Sequence, residues 1–279
     1  MDDGLVGRSY GPVRAVADPV SVASFVAAVG DDPERWKGVV PPLFANALLF
    51  RAAPLFLEDP DVAPYTASLI HSEQTYEWGG PLEAGAALDV SGEVEQVRAR
   101  SGRNLVTFTI TAGEWLRGRS VFVMSDQAAG SADEVPEPPA LRRPERDTPA
   151  PSPLPAAGGE LPAMRCGASR ADLVRYASAT GDFNPIHWDH ASAVDAGLPG
   201  IVVHGLLMAG WLGAAAARHA EGPAPLRSMR LRFRKPLRPG EGAAVGGRVA
   251  SVEADGADLE MDLRSGEGRL VIATVRVTR

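Results

Sequence analysis

The chain has 279 residues and a mass of 29.3 kDa, with 45% hydrophobic and 23% charged residues, which suits one large globular domain or two ordinary ones. This composition excludes a short peptide scaffold and a globally disordered chain. The net charge of −7 and the pI of about 5.3 oppose binding to a phosphate backbone, so we expect no nucleic acid partner.

The chain starts with an acidic segment, residues 1–4, which lacks the basic stretch and the apolar run of a secretory signal peptide. A helix is predicted next, because Asp18-Pro19 can cap it and apolar residues recur at helical spacing up to Gly30-Asp31. Later segments of the first half are predicted to form antiparallel strands, at residues 68–78, 86–97, 105–111 and 120–125.

A proline-rich stretch, residues 128–163, divides the chain near its midpoint. Its nine prolines disfavour helix formation and strand pairing, so we predict an extended, semi-rigid connector. The predicted organisation is therefore a first domain at residues 1–127, the connector at residues 128–163, and a second domain at residues 164–279.

The second half repeats the element order of the first. Ser169 and Asp172 form a capping-box pattern, and the helix that they start ends at a second Gly-Asp pair, residues 181–182. The apolar segment 201–217 predicts a helix that is covered on most sides, and the alternating residues of 229–233 and 271–277 predict strands. Each half is thus predicted to wrap an antiparallel sheet around one helix, and two such units side by side would form a continuous sheet.

Two further features bear on location. The segment 200–217 contains His204 and several glycines, which favours a buried helix over a membrane span. A single cysteine, Cys166, allows neither an internal disulfide nor a thiolate metal site. We therefore expect a cytoplasmic protein without membrane contact.

One segment of the second half carries a motif. Residues 176–177, 181–189 and 199–205 read Tyr-Ala, Gly-Asp-Phe-Asn-Pro-Ile-His-Trp-Asp and Pro-Gly-Ile-Val-Val-His-Gly. In order and spacing they resemble the hydratase 2 motif of the MaoC-like (R)-specific enoyl-CoA hydratases and dehydratases. The first half, with residues 31–33 and 41–44, resembles the amino-terminal dehydratase domain of family members with two hot dog units.

The resemblance implies an α+β fold, the double hot dog, and reversible hydration of trans-2-enoyl thioesters to (R)-3-hydroxyacyl thioesters. It implies no cofactor and no metal, since the substrate itself carries coenzyme A or the pantetheine of an acyl carrier protein. Such a chain could be a monomer by pseudo-symmetry or could form a homodimer.

Hydration needs a base that takes a proton from water and an acid that delivers one to the α-carbon, and a carboxylate with an imidazole can do both. By resemblance, Asp182 and His187 are the catalytic pair, and Asn184 is an orienting hydrogen-bond partner. Backbone N–H groups at a helix N-terminus suit the thioester oxygen, and Gly205, without a side chain to block approach, is the candidate donor.

Five further residues are candidates for substrate binding. His204 could contact substrate, although a core histidine that hydrogen-bonds to the motif loop is the favoured interpretation. Arg230, Arg232 and Arg234 alternate with apolar residues, with Lys235 following. They could hold phosphates of coenzyme A or pantetheine, or simply form a solvated strand face.

Two alternatives concern the motif itself. His187 and His190 could be metal ligands, but they flank a turn and have no thiolate support. Asp189 is expected to cap the helix that follows it and not to bind substrate.

The first half is predicted to have lost the chemistry. Asp31 aligns with Asp182, but Trp36 stands at the position of His187 and cannot relay a proton, and residues 46–47 stand where 204–205 do. The resemblance further implies that the central helix of this half is shorter or broken, which would widen the acyl tunnel. We therefore expect one active site per chain.

The competing hypotheses for the function are a non-catalytic acyl-thioester-binding or partner protein, and a hot dog thioesterase.

Overall fold

The computed structural model describes residues 3–126, 133–266 and 268–279. The first half contains β1 (Ser9–Val16), α1 (Pro19–Val29), α2 (Ala45–Leu57), β2 (Ile70–Trp78), β3 (Ala87–Arg100), β4 (Arg103–Ala112) and β5 (Leu116–Met124). The second half contains β6 (Glu160–Cys166), α3 (Arg170–Thr180), α4 (His190–Asp195), α5 (Gly205–Ala217), β7 (Leu226–Phe233), β8 (Ala243–Val252), β9 (Gly256–Ser265) and β10 (Gly268–Thr278). None of the helices in the described ranges has the length and apolar character needed to cross a bilayer.

All strands of the described residues join one antiparallel sheet of ten, in the order β1-β3-β4-β5-β2-β7-β10-β9-β8-β6. The order of the first five strands is mirrored by the second five, and the two halves meet where β2 pairs with β7 between Glu73↔Arg232 and Glu77↔Ser228. Twelve of the thirteen residues of α5 are buried. The predicted double hot dog, an α+β fold, is confirmed.

Local hydrogen bonds explain where the first helix of each half begins and ends. The Asp18 carboxylate accepts from the backbone at the start of α1, and Ser169 and Asp172 form the predicted reciprocal capping box of α3. Gly30 and Gly181 end these helices at φ of 80° and 86°, a conformation that glycine adopts without steric cost. Asp31 and Asp182, which follow these two glycines, are therefore held just past a helix end.

Three predictions about elements were wrong. Strand β6 begins inside the predicted connector, and its Pro162 is tolerated because the register with β8 shifts between Leu161 and Met164 on this edge strand. Helix α5 begins at Gly205 and not at residue 201, because the backbone N–H of Val203 is bonded to the carbonyl of Leu237 at 2.8 Å.

The third error concerns the central helix of the first half. Helices α2 and α5 both have thirteen residues, so α2 is neither shorter nor broken, and Pro54 lies within it. Aligning the two helices at their first residues places Phe44 and Ala45 opposite His204 and Gly205, two residues before the pair that sequence alignment suggested.

The described part of the connector lies along the second half and is not a free linker. Ser152 donates its backbone N–H to the carbonyl of Arg218 at 2.9 Å, and Gly158 donates to that of Val249 at 2.8 Å. The Asp147 carboxylate accepts from Arg165 on β6. The connector is therefore anchored at several points against the unit that carries the motif.

Candidate active site

The motif loop follows directly from the end of α3. After Gly181, the backbone N–H of Asp182 lies 3.3 Å from the Thr180 hydroxyl. The Asn184 side-chain oxygen accepts from the backbone of Ile186 at 3.3 Å and caps a short 3-10 helix, Pro185–His187. This cap gives Asn184 an orienting position, since it fixes the turn that carries His187.

Asp182 and His187 are brought together and buried, each with 7% of its surface exposed. A carboxylate oxygen of Asp182 and a ring nitrogen of His187 lie within 4.8 Å of each other. The His187 Nδ1–H donates to the backbone carbonyl of Val202 at 2.8 Å, which leaves Nε2 with a free lone pair in the neutral ring. One solvent molecule is the right size to bridge a carboxylate and an imidazole at this separation.

Burial shifts the pKa of both groups toward their neutral forms. It raises the pKa of Asp182, and it lowers the pKa of His187. The attraction between the two partly opposes both shifts. A carboxyl with a raised pKa beside an imidazole with a lowered one is the arrangement expected of a proton-transfer site.

His204 lies behind His187, fully buried, and does not line the cavity described below. Its Nε2–H donates to the backbone carbonyl of Asp182 at 3.2 Å, and its ring stacks on that of His187 with centroids 3.8 Å apart. The suggestion that His204 contacts substrate is therefore not supported, whereas the favoured interpretation, a core histidine bonded to the loop, matches this geometry. His204 thus supports both Asp182 and His187 from behind.

Asp182, His187 and His204 each present one potential metal ligand within 4.8 Å of the others. The two imidazole planes, however, are inclined by only 25°. Lone pairs of ring nitrogens lie in the ring planes, so in stacked rings they run side by side and do not converge on one point. His190, the other ligand considered, bonds instead to Glu134 at 3.0 Å. Asp189 accepts from Ala191 as the cap of α4, as predicted.

Gly205 is the first residue of α5, where a backbone N–H has no carbonyl of an earlier turn to bond. A Cβ at this position would lie 3.4 Å from the ring of Phe233. The absence of a side chain therefore leaves the helix N-terminus open toward the space between that ring and the motif loop. A partial positive charge at this helix end favours a developing oxyanion.

A cavity of about 1310 Å³ opens onto Asp182, His187 and Gly205. Its walls come from both halves of the chain. The first half contributes His71 at the start of β2. It also contributes apolar side chains of α2 and β5, namely Leu49, Phe50, Ala53, Pro54, Leu57, Phe122 and Met124. The volume is ample for a long or bulky acyl group.

The four basic candidates separate into two pairs. Arg234 and Lys235 line the cavity. Arg230 and Arg232 do not; they pair with Glu73 on the neighbouring strand, at 3.4 Å and 2.7 Å. Strand alternation places Arg230 and Arg232 together on the outer face, whereas Arg234 and Lys235 follow the end of β7 at Phe233, where alternation no longer fixes their direction.

The equivalent position in the first half is filled. Trp36 is 4% exposed, and its indole N–H donates to the Asp31 carboxylate at 2.8 Å. This hydrogen bond occupies the carboxylate that aligns with Asp182. The geometry agrees with the expectation of one active site per chain.

Sequence reasoning missed two parts of the site. The Val202 carbonyl sets the tautomer of His187, but a backbone group leaves no residue-specific signal. His71 faces the cavity from the first half, and its strand residues 70–78 alone give no reason to separate it from its neighbours.

The two halves match two families. Residues 144–263 match the MaoC like domain, and residues 4–125 match the FAS1-like dehydratase domain region. A UPF0336 protein of Streptomyces avermitilis is 31% identical over 123 residues, which are 38% of this chain and 79% of that protein. A 3-hydroxyacyl-thioester dehydratase X of Mycobacterium tuberculosis is 26% identical over 209 residues, 74% of this chain and 69% of that protein.

A solved structure described as a MaoC-like dehydratase superimposes with a TM-score of 0.83 at 23% identity, over 98% of both chains. At this identity the likeness supports the fold. The order of the motif, the double hot dog and the matches to both halves agree, and the chain belongs to the MaoC-like dehydratase family, in the form whose amino-terminal half is a FAS1-like dehydratase unit.

Proposed function

We propose that this protein catalyses the reversible hydration of trans-2-enoyl thioesters to (R)-3-hydroxyacyl thioesters. The observation that carries the proposal is the buried pair of Asp182 and His187, which shares one cavity with the open N-terminus of α5 at Gly205. The (R) configuration comes from the family resemblance.

In the hydration direction, a single water donates two hydrogen bonds, one to the Asp182 carboxylate and one to the lone pair on His187 Nε2. The water oxygen attacks C3 of the enoyl group as the pair takes one of its protons. The same proton is then delivered to C2, so that H and OH of a single water add across the double bond. The Val202 carbonyl keeps Nδ1 protonated and Nε2 ready to accept.

Negative charge develops on the thioester oxygen during attack. The backbone N–H of Gly205, at the positive end of α5, is placed to donate to that oxygen. Since the donor is part of the helix backbone, it needs no reorganisation when the charge appears.

The substrate is proposed to be a thioester of coenzyme A or of an acyl carrier protein. Both carry phosphate at the end of pantetheine, and Arg234 and Lys235 offer cationic groups at the cavity. The acyl group extends into the part of the cavity lined by α2 and β5.

The test is loss of enoyl-thioester absorbance with crotonyl-CoA and octenoyl-CoA, with chiral analysis of the product. Asp182→Asn and His187→Gln should each lower kcat by about 10²- to 10⁴-fold, because each removes a proton-transfer group. Asp31→Asn, at the aligned position of the first half, is the matched control and should keep wild-type turnover. Full activity in either motif variant would refute the assignment.

The same reactions distinguish the competing functions. A thioesterase would release free thiol from acyl-CoA, which a hydratase does not. A non-catalytic partner would bind octenoyl-CoA without consuming it. Loss of the enoyl band without thiol release supports the hydratase.

A further inference from the structure

A small polar cluster lies in the cavity wall of the first half, apart from the catalytic pair. His71 faces the cavity between two aromatic rings, with its centroid 4.9 Å from that of Phe122 and 5.2 Å from that of Phe233. Gln74 and Ser120, both fully buried, stand behind it. A hydrogen-bonding ring in an aromatic wall is costly unless it has a partner there.

A β-bulge turns His71 inward. Along β2, alternation would place His71 on the outer face with Glu73, which pairs there with arginines of β7. The register with β5, however, shifts between these two residues, so that His71 is opposite Phe122 and Glu73 is opposite Val121. Phe122 is buried on the inner face, and the bulge therefore aims His71 the same way.

The hydrogen bonds behind His71 select its tautomer. The Gln74 side-chain nitrogen donates to the carbonyl of Thr75 at 2.8 Å, which fixes the orientation of the amide. Its oxygen accepts from the Ser120 hydroxyl at 2.6 Å and lies 3.1 Å from His71 Nε2. Because an amide oxygen only accepts, the His71 Nε2 carries the proton, and the backbone carbonyl of Glu73 is a second acceptor beside the ring. A neutral imidazole has one N–H, so Nδ1 is an acceptor. Burial lowers the pKa of His71 to about 4, so the ring is neutral at pH 7.

We propose that His71 accepts a hydrogen bond from a hydroxyl group on the acyl chain, so that the enzyme selects hydroxyl-bearing enoyl thioesters over plain ones. The inference rests on the proposed function. The place of this hydroxyl along the acyl chain follows from Phe233, whose ring centroid lies 5.2 Å from that of His71 and whose edge lies 3.4 Å from where a Cβ on Gly205 would stand. The selected hydroxyl is therefore separated from the thioester carbonyl by about the width of one ring.

The test compares kcat/KM for trans-2-octenoyl-CoA with that for four analogues bearing a hydroxyl at carbon 5, 6, 7 or 8. The wild-type protein should prefer one of these positions over the plain substrate. In His71→Phe, which keeps an aromatic ring at this place, the ratio of that analogue to octenoyl-CoA should fall about tenfold, the effect of one lost hydrogen bond. His71→Gln, which keeps an acceptor, should retain part of the preference.

His190→Phe is the matched control, because His190 lies on α4 and bonds to Glu134 of the connector. In this variant the ratio of kcat/KM for the preferred analogue to that for octenoyl-CoA should be unchanged. Thermal unfolding confirms that each variant is folded. The proposal is overturned if the wild type prefers no hydroxyl position, or if His71→Phe lowers kcat/KM for all five substrates by the same factor, which would place the ring against the shared pantetheine arm. Absence of turnover with every substrate contradicts the proposed function instead, and the preference is then read from dissociation constants by calorimetry.

Discussion

The side chain of Asn46 links the two halves beside the candidate active site, and its removal tests whether they form one cooperative unit. Asn46 on α2 is fully buried. It accepts from the Tyr76 hydroxyl at 2.5 Å, and its amide donates to the Tyr176 hydroxyl at 3.1 Å and to the carbonyl of Leu206 at 2.9 Å. The first contact is within the first half, and the other two cross to α3 and α5.

Asn46→Leu keeps the side-chain size and removes all three hydrogen bonds. At about 1 kcal/mol for each bond, the free energy of unfolding should fall by about 3 kcal/mol. For a chain of this size, that corresponds to a decrease in Tm of roughly 6 to 12 °C. Urea unfolding followed by circular dichroism measures the first quantity, and calorimetry measures the second.

Tyr76→Phe removes only the bond to Asn46 and should cost about 1 kcal/mol. In the double variant that bond is already gone, so its cost should not exceed that of Asn46→Leu alone. A loss below about 1 kcal/mol for Asn46→Leu, or full additivity of the two substitutions, would show that the three bonds do not join the halves as described.

Two further predictions concern activity. The reactive form contains the Asp182 carboxylate and neutral His187. Because burial raises the pKa of Asp182 and lowers that of His187, kcat/KM should fall as the pH drops, and the fall should begin at a higher pH than an ordinary carboxyl group would give. A pH profile with crotonyl-CoA measures this, and a decline above pH 7 would indicate that protonated histidine is required. Replacing Arg234 and Lys235 by Ala should raise KM for CoA thioesters but not for the short pantetheine thioester, whereas Arg230→Ala, which only breaks a surface ion pair, should leave both KM values unchanged. If Arg230→Ala raised KM for CoA thioesters as much as replacing Arg234 and Lys235, Arg230 would also contact the substrate, which would contradict the assignment of only Arg234 and Lys235 to the cavity.

Features formed by neighbouring residues could be predicted from the sequence. The caps of α1 and α3 and the Gly-Asp helix ends depend on hydrogen bonds spanning three or four residues, and they formed as predicted. The repeated element order likewise led to the double hot dog, because each half must cover an apolar helix with a sheet. The short loop from Asp182 to His187 left little freedom in where its side chains point.

Errors arose where distant segments decide the outcome. Residue 201 could not be recognised as extended, because its stretch is held by hydrogen bonds to the segment before β8. Pro162 in β6 predicts a break in strand pairing, yet an edge strand with a shifted register accommodates it. The resemblance implies a shorter or broken α2, yet the helix has thirteen residues and includes Pro54.

The sequence by itself determined the repeat, the helix ends and the residue types of the motif, since these follow from contacts within a few positions. Only the tertiary structure decided which side chains share the cavity. A one-residue shift between β2 and β5 moves His71 from the outer face to the inner one, and pairing of β2 with β7 removes Arg230 and Arg232 from the site by giving them Glu73. Register between strands is set by the packing of whole faces, and no short segment encodes it.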